Sequence, residues 1–478
     1  MLVIHTSLEC YPVAKTGGLG DVVGSLPKFL NRKNVNAWVV MPKYDNEWTN
    51  IRSYDVVHEG ATYLGSQKFH YRMLRETQEE LGFPLYMVDI PGRTDRSGIY
   101  MDPVSGYPYW DEFERYVSFQ LAVLDWFKSF PRKPDVIHCH DHHTALIPFL
   151  INSCYIYSDL ITTPTVLTIH NGEYHGSYDM GKAAMLPKIK PEKFGFLEWD
   201  NRLNSLASGI RNCWKLTTVS TGYLGELQTD SSGLETLMQH EAQKSVGIIN
   251  GIDDQVWNPA TDPLIAHNFS SKNLEKGKRL NKDVLCKEFG LNPKLPVFSY
   301  IGRLAKEKGA DLLPDLITSF LEAGNEANFI VLGTGDPYLH HVFNHLKGRF
   351  VGYFNTSLQY NEKLAHQIYA GSDFLLMPSR VEPCGLNQMY ALKYGTIPIV
   401  RRTGGLNDTV VDVGEPDGYG VCFNQFTLED AYHAVSRAHS MFKIKDHMKI
   451  FRDRAVALDF SWDKSADKYI ELYQSLNT

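Results

Sequence analysis

Asp373–Leu386 reads D-F-L-L-M-P-S-R-V-E-P-C-G-L, and a G-G-L follows at Gly404–Leu406. Asp373–Met377 is an apolar run of strand length, and Leu386–Tyr394 has the pattern of a helix start. Strand, tight turn and helix in that order form the repeating unit of an open α/β sheet, whose ligands gather beyond the carboxyl ends of the strands. Glu382 falls in that turn, just ahead of backbone N–H groups that have no helical partner. Such a helix start holds an anionic group, for example a nucleotide phosphate. Taken alone, Glu382 could equally be a helix-start charge worth roughly a few tenths of a kcal/mol. The remainder of the chain decides against that.

At 478 residues the chain exceeds one core and requires two or three domains. Its 43% hydrophobic and 22% charged content is that of an ordinary globular protein. A formal net charge of -7 argues against nucleic acid as a partner. No window approaches the ~18 consecutive apolar residues of a membrane span. Met1–Ser7 reads directly as a first strand, with no export signal, so a cytoplasmic location is expected. The seven cysteines are scattered and form no C-x-x-C pair, which fits a reducing compartment and argues against structural zinc.

Strand-like and helical runs alternate from the start. Leu2–Thr6 predicts a buried strand, Asp21–Leu30 a helix and Ala37–Met41 a second strand. Between the first two lies K-T-G-G-L-G, Lys15–Gly20. Its glycines let backbone approach a ligand closely, and Lys15 places a cation at the mouth of the loop. No Walker pattern is present. Phe69–Met73 and Leu85–Ile90 read as strands and Glu112–Phe130 as a long amphipathic helix. Asp135–Ala145, D-V-I-H-C-H-D-H-H-T-A, is a buried strand ending in His138, His140, Asp141, His142 and His143. Alternation puts His138 and His140 on one strand face, and no H-E-x-x-H spacing occurs, so no metal is expected. The better reading is a strand end whose Asp141 bonds ligand hydroxyls or orients a basic residue. Thr165–Asn171 repeats the design with His170 and Asn171 at its end, and Lys215–Ser220 is a further strand. Two successive strands ending in His/Asp and His/Asn point to a lined cleft.

An irregular Pro-containing stretch after Val246–Asp253 marks the domain boundary. A charged segment, Ser271–Phe289, precedes a second Rossmann-like series that opens at Val297–Ile301. Its first loop, Gly302–Gly309, carries Arg303 and Lys308. A guanidinium fork and a point charge suit a diphosphate if the loop turns between them. Phe329–Pro337 adds a strand and glycine turn, Phe350–Tyr353 a strand, and Tyr360–Ala370 a helix. Thr396–Val400 and Gly418–Phe423 are the last strands, and Ser461–Leu476 is a helix expected to cross back onto the first domain. The expectation is therefore α/β: residues 1–250 and 251–459 as two Rossmann-like domains facing a central cleft, with 460–478 packing on the first.

Lys15–Asp21, His140–Ala145, Thr168–Asn171, Ile249–Asp253 with Trp257–Asp262, Gly302–Gly309, Ala365–Pro378 and Ser379–Leu406 together resemble the bacterial glycogen synthase / starch synthase family, in order and spacing, over most of the chain. That resemblance implies the GT-B fold and transfer of glucose from ADP-glucose, or UDP-glucose, to the non-reducing end of an α-1,4-glucan with retention. It also implies no cofactor and no metal. The resemblance gives Glu382 a contact to the donor glucose in the transition state and gives Arg303 and Lys308 the leaving diphosphate. Lys15, with the Gly17 and Gly18 backbone, would meet the sugar and phosphate, and His170 the donor glucose at its 6-OH. Asn250 and Thr403 would bind the sugar nucleotide. Tyr360 would stack the adenine, and Cys384, Gly385 and Leu386 would offer backbone N–H groups. Asp141, also in the catalytic group, would face the acceptor with Asp21 and Asn171.

Some residues depart from the family's relatives. Transferases with E-x₇-E would carry Glu at position 390, where this chain has Tyr390, as the synthases do. His170–Gly176 reads H-N-G-E-Y-H-G with unusual Glu173 and His175, Gly172–Pro191 differs from the usual loop, and Asn201–Trp214 lacks the familiar helix pattern. A related retaining transferase with a small-molecule acceptor and a non-catalytic glucan-binding homologue are the alternatives.

Overall fold

The structure, a computed structural model, describes residues 1–476. The chain forms two compact units. Met1–Val219, Leu224–Ile248 and the segment from Ser465 onward make the first; Ser220–Tyr223 and Ile249–Lys464 make the second.

The first unit is built on a nine-stranded sheet. In chain order its strands are β1 (Leu2–Thr6), β2 (Asn36–Pro42), β3 (Tyr54–Leu64), β4 (Gln67–Glu76), β5 (Leu85–Asp89), β6 (Val136–His140) and β7 (Thr165–Ile169). A small three-stranded sheet of β8 (Ser177–Tyr178), β9 (Glu198–Trp199) and β10 (Arg202–Asn204) intervenes before β11 (Lys215–Thr218) and β12 (Ser245–Gly247) complete the large one. The spatial order is β12-β11-β7-β6-β1-β2-β5-β4-β3. Seven strands run parallel, and β4 and β3 add antiparallel at the far edge. From β1 the chain builds outward first to β2 and β5, then returns to β6 and builds the other way. The order therefore reverses between β1 and β6, which makes their carboxyl ends the natural ligand position.

The second unit repeats the logic with β13 (Val297–Ile301), β14 (Asn328–Leu332), β15 (Phe354–Ser357), β16 (Phe374–Met377), β17 (Ile397–Arg401) and β18 (Val421–Phe423). All six are parallel in the order β15-β14-β13-β16-β17-β18, with the reversal between β13 and β16. These strands are buried almost throughout, because helices cover both faces of a parallel sheet. Phe298, Phe329 and Phe374 stack across three neighbouring strands, with ring centroids 5.3 and 4.9 Å apart.

Several expectations shift. The strand expected at Phe350–Tyr353 lies at Phe354–Ser357, since Phe350 still closes the helix Pro337–Arg349. The first helix begins at Gly18, inside the glycine loop, rather than at Asp21. Edge strand β3 went unread because one face of it is largely solvated. Ser205–Asn212 is helical despite its unfamiliar pattern, with the Asn204 side chain capping the Ala207 N–H at 2.9 Å.

The charged segment after Ser271 is a helix, Leu274–Phe289, stopped by left-handed Gly290. Its inward face carries two lysines among the apolar Leu274, Leu285, Cys286 and Phe289. Lys282 meets Asp373 at 2.6 Å, Arg452 meets the other Asp373 oxygen at 2.6 Å, and Lys278 donates to the Tyr369 carbonyl and the Thr396 hydroxyl. The two flanking cations hold Asp373 below the usual carboxylate range despite its burial.

The last helix, Trp462–Gln474, returns to the first unit from Ser465 onward. Tyr473 bonds His138 Nδ1 at 2.7 Å and Asp467 pairs with Lys33. Residues 477 and 478 of the expected 460–478 segment lie outside the described residues.

Candidate active site

In the second unit the reversal point is occupied by the turn after β16. Its shape depends on neighbouring glycines that admit no side chain. Gly405 donates its N–H to the Glu382 carbonyl at 3.0 Å, and a Cβ on Gly405 would stand 2.1 Å from the Cys384 carbonyl oxygen. Gly309, at φ +68, packs its Cα against the Pro378 carbonyl. The loop after β13 and the turn after β16 are also joined by backbone: the Arg380 N–H donates to the Glu307 carbonyl at 2.8 Å. The Arg380 side chain adds a two-pronged contact to Asp311.

Within this frame Glu382 is buried, with 7% exposure. Lys308 Nζ lies 2.8 and 2.9 Å from its two oxygens, and the Ser379 hydroxyl donates to Oε2 at 3.0 Å. Arg303 is turned elsewhere, pairing with Glu307 on the exposed side of the loop. The two cations expected to converge on one anion thus engage two different carboxylates. Asn250 is beside the turn: its backbone N–H bonds the Cys384 thiol, whose pKa burial pushes up to about 12. The Asn250 side-chain oxygen is buried without a partner. Thr403 caps the helix Gly404–Thr409 and is buried, whereas Tyr360 is exposed. The helix that follows Leu386 is Asn387–Lys393. Tyr390 stacks on Trp257 at 3.8 Å, and His366 stacks on that indole at 3.9 Å. An aromatic sandwich therefore fills the position where E-x₇-E enzymes carry their second acid.

In the first unit the reversal point gathers the ends of β1, β6 and β7. Lys15 pairs with Asp21 at 2.6 Å and lies over the Tyr11 ring. The glycine loop is held by Glu9, which the sequence reading missed. One Glu9 oxygen accepts the Thr16 and Gly17 N–H groups at 2.6 and 3.1 Å; the other accepts the Thr16 and Tyr100 hydroxyls at 2.8 and 2.6 Å. Gly17 N–H is thereby spent on the protein itself. Spacing gave no sign of this, since Tyr100 is 91 residues from Glu9.

Asp141, at φ +57, reaches across to the end of β7 and accepts the His170 N–H at 2.7 Å and the Asn171 N–H at 3.4 Å. Burial raises its pKa to about 7 against the pull of those two amides. Asn171 in turn accepts the Glu173 N–H, and His175 bonds the Gly172 carbonyl, so the unusual loop is closed on itself. The following segment is tied to the helix Glu112–Lys128, through Tyr178 to Glu112 and Lys182 to Glu114.

Among the described residues, His5, His138 and His140 are close enough to share a cation, with ligand atoms within 4.8 Å of one another. Their rings do not suit one. His138 and His140 are stacked at 4.4 Å and His5 and His140 at 5.4 Å, so their lone pairs run side by side instead of converging tetrahedrally. Both His138 nitrogens are occupied, by Tyr473 and Thr168, and both His140 nitrogens by His5 and His170.

No helix among the described residues is long and apolar enough to cross a membrane. The family model for the starch synthase catalytic domain matches residues 2–240, and that for glycosyl transferases group 1 matches residues 281–443. Glycogen synthase of Flavobacterium johnsoniae is 46% identical over 99% of this chain and 98% of its own length. Glycogen synthase of Streptococcus gordonii is 36% identical over the whole of both chains. Among solved structures, the catalytic domain of starch synthase IV from Arabidopsis thaliana, bound to ADP and acarbose, aligns with a TM-score of 0.86 at 32% identity over 99% of each chain. With two sheets whose reversal points carry these residues, and with relatives matched end to end, the chain belongs to the glycogen synthase and starch synthase family of GT-B glycosyltransferases.

Proposed function

We propose that the protein transfers glucose from ADP-glucose to the non-reducing 4-OH of an α-1,4-glucan, with retention at the anomeric carbon. The observation that carries this reading is the Lys308–Glu382–Ser379 cluster at the reversal point of the second sheet. Cleaving the anomeric bond to a diphosphate builds negative charge on the departing phosphate and positive charge on the sugar. Lys308, already held in the site, and Arg303, once swung in, address the first as cations acting on a leaving group. Glu382, fixed by a lysine and a serine, addresses the second. Arg303 must leave Glu307 to reach a phosphate, so a ligand-driven swing of that side chain belongs to the cycle. His170, Asp141 and Lys15 serve the glucosyl group and its acceptor from the first unit. In this scheme Lys308 and Arg303 supply the charge neutralisation that a divalent ion supplies in other transferases, and no metal is invoked. The starch synthase IV domain, solved with ADP and acarbose, supports an adenine nucleotide and a glucan-like chain as ligands.

The test is the initial rate of nucleoside diphosphate release from ADP-glucose and from UDP-glucose, each with and without glycogen. Release from ADP-glucose that requires glycogen supports the reading. Faster primed release from UDP-glucose reassigns the donor, and release independent of glucan points to a small-molecule acceptor. Glu382→Ala is expected to abolish transfer; unchanged release in that variant would refute the assignment.

A further inference from the structure

Three histidine rings from three neighbouring parallel strands form a continuous hydrogen-bonded line in the first unit. His5 lies in β1 and His140 in β6, while His170 directly follows β7. His5 Nδ1 is 3.1 Å from His140 Nε2, and His140 Nδ1 is 2.9 Å from His170 Nε2. His5 and His140 have no exposure and His170 has 8%. Burial holds all three well below the ordinary imidazole pKa, to about 3 for His5 and His170, so each ring is neutral near pH 7 and carries one proton.

A neutral imidazole donates from one nitrogen and accepts at the other, and the bond made at one fixes the role of the other. With two N–H···N contacts and three rings, only two self-consistent arrangements exist. In one, every proton points from His5 toward His170: His5 Nδ1–H donates to His140, His140 Nδ1–H donates to His170, and His170 is left with a proton on Nδ1. In the other, every proton points inward, and His5 carries its proton on Nε2. That atom is buried and has no partner. The inward arrangement therefore strands an N–H in the core, whereas the outward one leaves only a lone pair there. Orphaned buried N–H groups are the rarer defect.

We propose that His5 and His140 are positioning residues that fix His170 as its Nδ1–H tautomer, so that this histidine meets its ligand as a hydrogen-bond donor. The inference rests on the reading of His170 as a contact to the donor glucose. It adds polarity to that contact: Nε2 is taken by His140, and the outward nitrogen gives a proton to a sugar oxygen instead of accepting one. His138 is stacked on His140 but stands outside the line, since its own nitrogens bond Tyr473 and Thr168. Its task is packing.

The experiment has two arms. In the first, nitrogen-15 shifts of ¹⁵N-histidine-labelled protein, with the His170 signals assigned through His170→Gln, are recorded without any sugar nucleotide. A protonated Nδ1 and bare Nε2 on His170 are expected, and a protonated Nε2 would overturn the proposal. In the second, His5→Leu removes the first donor at similar volume, and His5→Gln keeps an N–H for His140. A kcat roughly tenfold lower in His5→Leu, with donor KM little changed and substantial recovery in His5→Gln, is expected for a group acting through orientation. A His5→Leu kcat equal to wild type would overturn it. The spectral arm needs no substrate, so it stands or falls apart from the transferase reading, which fails by absence of primed release in the wild type.

Discussion

Lys308 Nζ bridges both carboxylate oxygens of Glu382, at 2.8 and 2.9 Å. The cation assigned to the leaving diphosphate and the acid assigned to the sugar are thus already in contact. Donor binding must draw part of that lysine's charge toward phosphate. Lys308→Ala is expected to lower kcat by roughly 10²–10³, the usual loss when one preorganised charge at a reacting centre is removed. Arg303→Ala should raise donor KM more than it lowers kcat, because Arg303 has to travel from Glu307. Steady-state kinetics with saturating glycogen separate the two, and equal effects on both parameters would contradict this division of labour.

Gly405 has no room for a methyl group, since its Cβ would stand 2.1 Å from the Cys384 carbonyl oxygen. Gly405→Ala must push the E-P-C turn outward, and a displacement of about 1 Å at a catalytic group can cost 10²-fold in rate. Loss of activity with retained circular dichroism is the expected result. Gly348→Ala, where nothing lies within 4 Å, is the control that should change neither.

Asp141 gives a pH signature. The folded protein holds its proton up to about pH 7, while the unfolded chain releases it near the ordinary 3.8. The folded state therefore binds more protons between those values, and its stability from this group falls as pH rises from about 4 through about 7, then levels off. A displacement of that size is worth on the order of 4 kcal/mol. Asp141→Asn keeps an oxygen for the His170 and Asn171 amides and removes the charge. Urea midpoints should show the variant gaining on wild type between pH 5 and pH 8; a constant difference would show that Asp141 does not titrate there.

Glu9 holds the glycine loop through three hydrogen bonds and is itself anchored by a fourth, from Tyr100. Glu9→Ala frees the Thr16 and Gly17 amides and loosens the loop that presents Lys15. Donor KM is expected to rise about tenfold, equivalent to about 1.4 kcal/mol of binding, with Glu9→Gln closer to wild type. Titration of initial rate against ADP-glucose measures it.

The β13 strand at Val297–Ile301 and the helix-to-strand order of the second unit were legible because parallel strands buried on both faces leave unbroken apolar runs. Glu382, Lys308, His170 and Asp141 were legible as residues at strand ends. What could not be read was who holds whom. The Leu274–Phe289 helix hid because lysines interrupt its apolar inward face, and one of them, Lys282, finds Asp373 some 91 residues away. Glu9 hid because its partners are a backbone turn and a distant tyrosine. His5 hid because a lone histidine in a first strand says nothing until β6 and β7 are laid beside it.

Tyr473 supplies the bond to His138 Nδ1, and Tyr469 is buried against the same ring. Those tyrosines follow the whole second unit in the chain, although the strands they seal precede it. The amino-terminal half therefore waits, unsealed, through synthesis of the whole second unit. A nascent chain stalled before residue 469 would carry a competent second sheet and an unfinished first one.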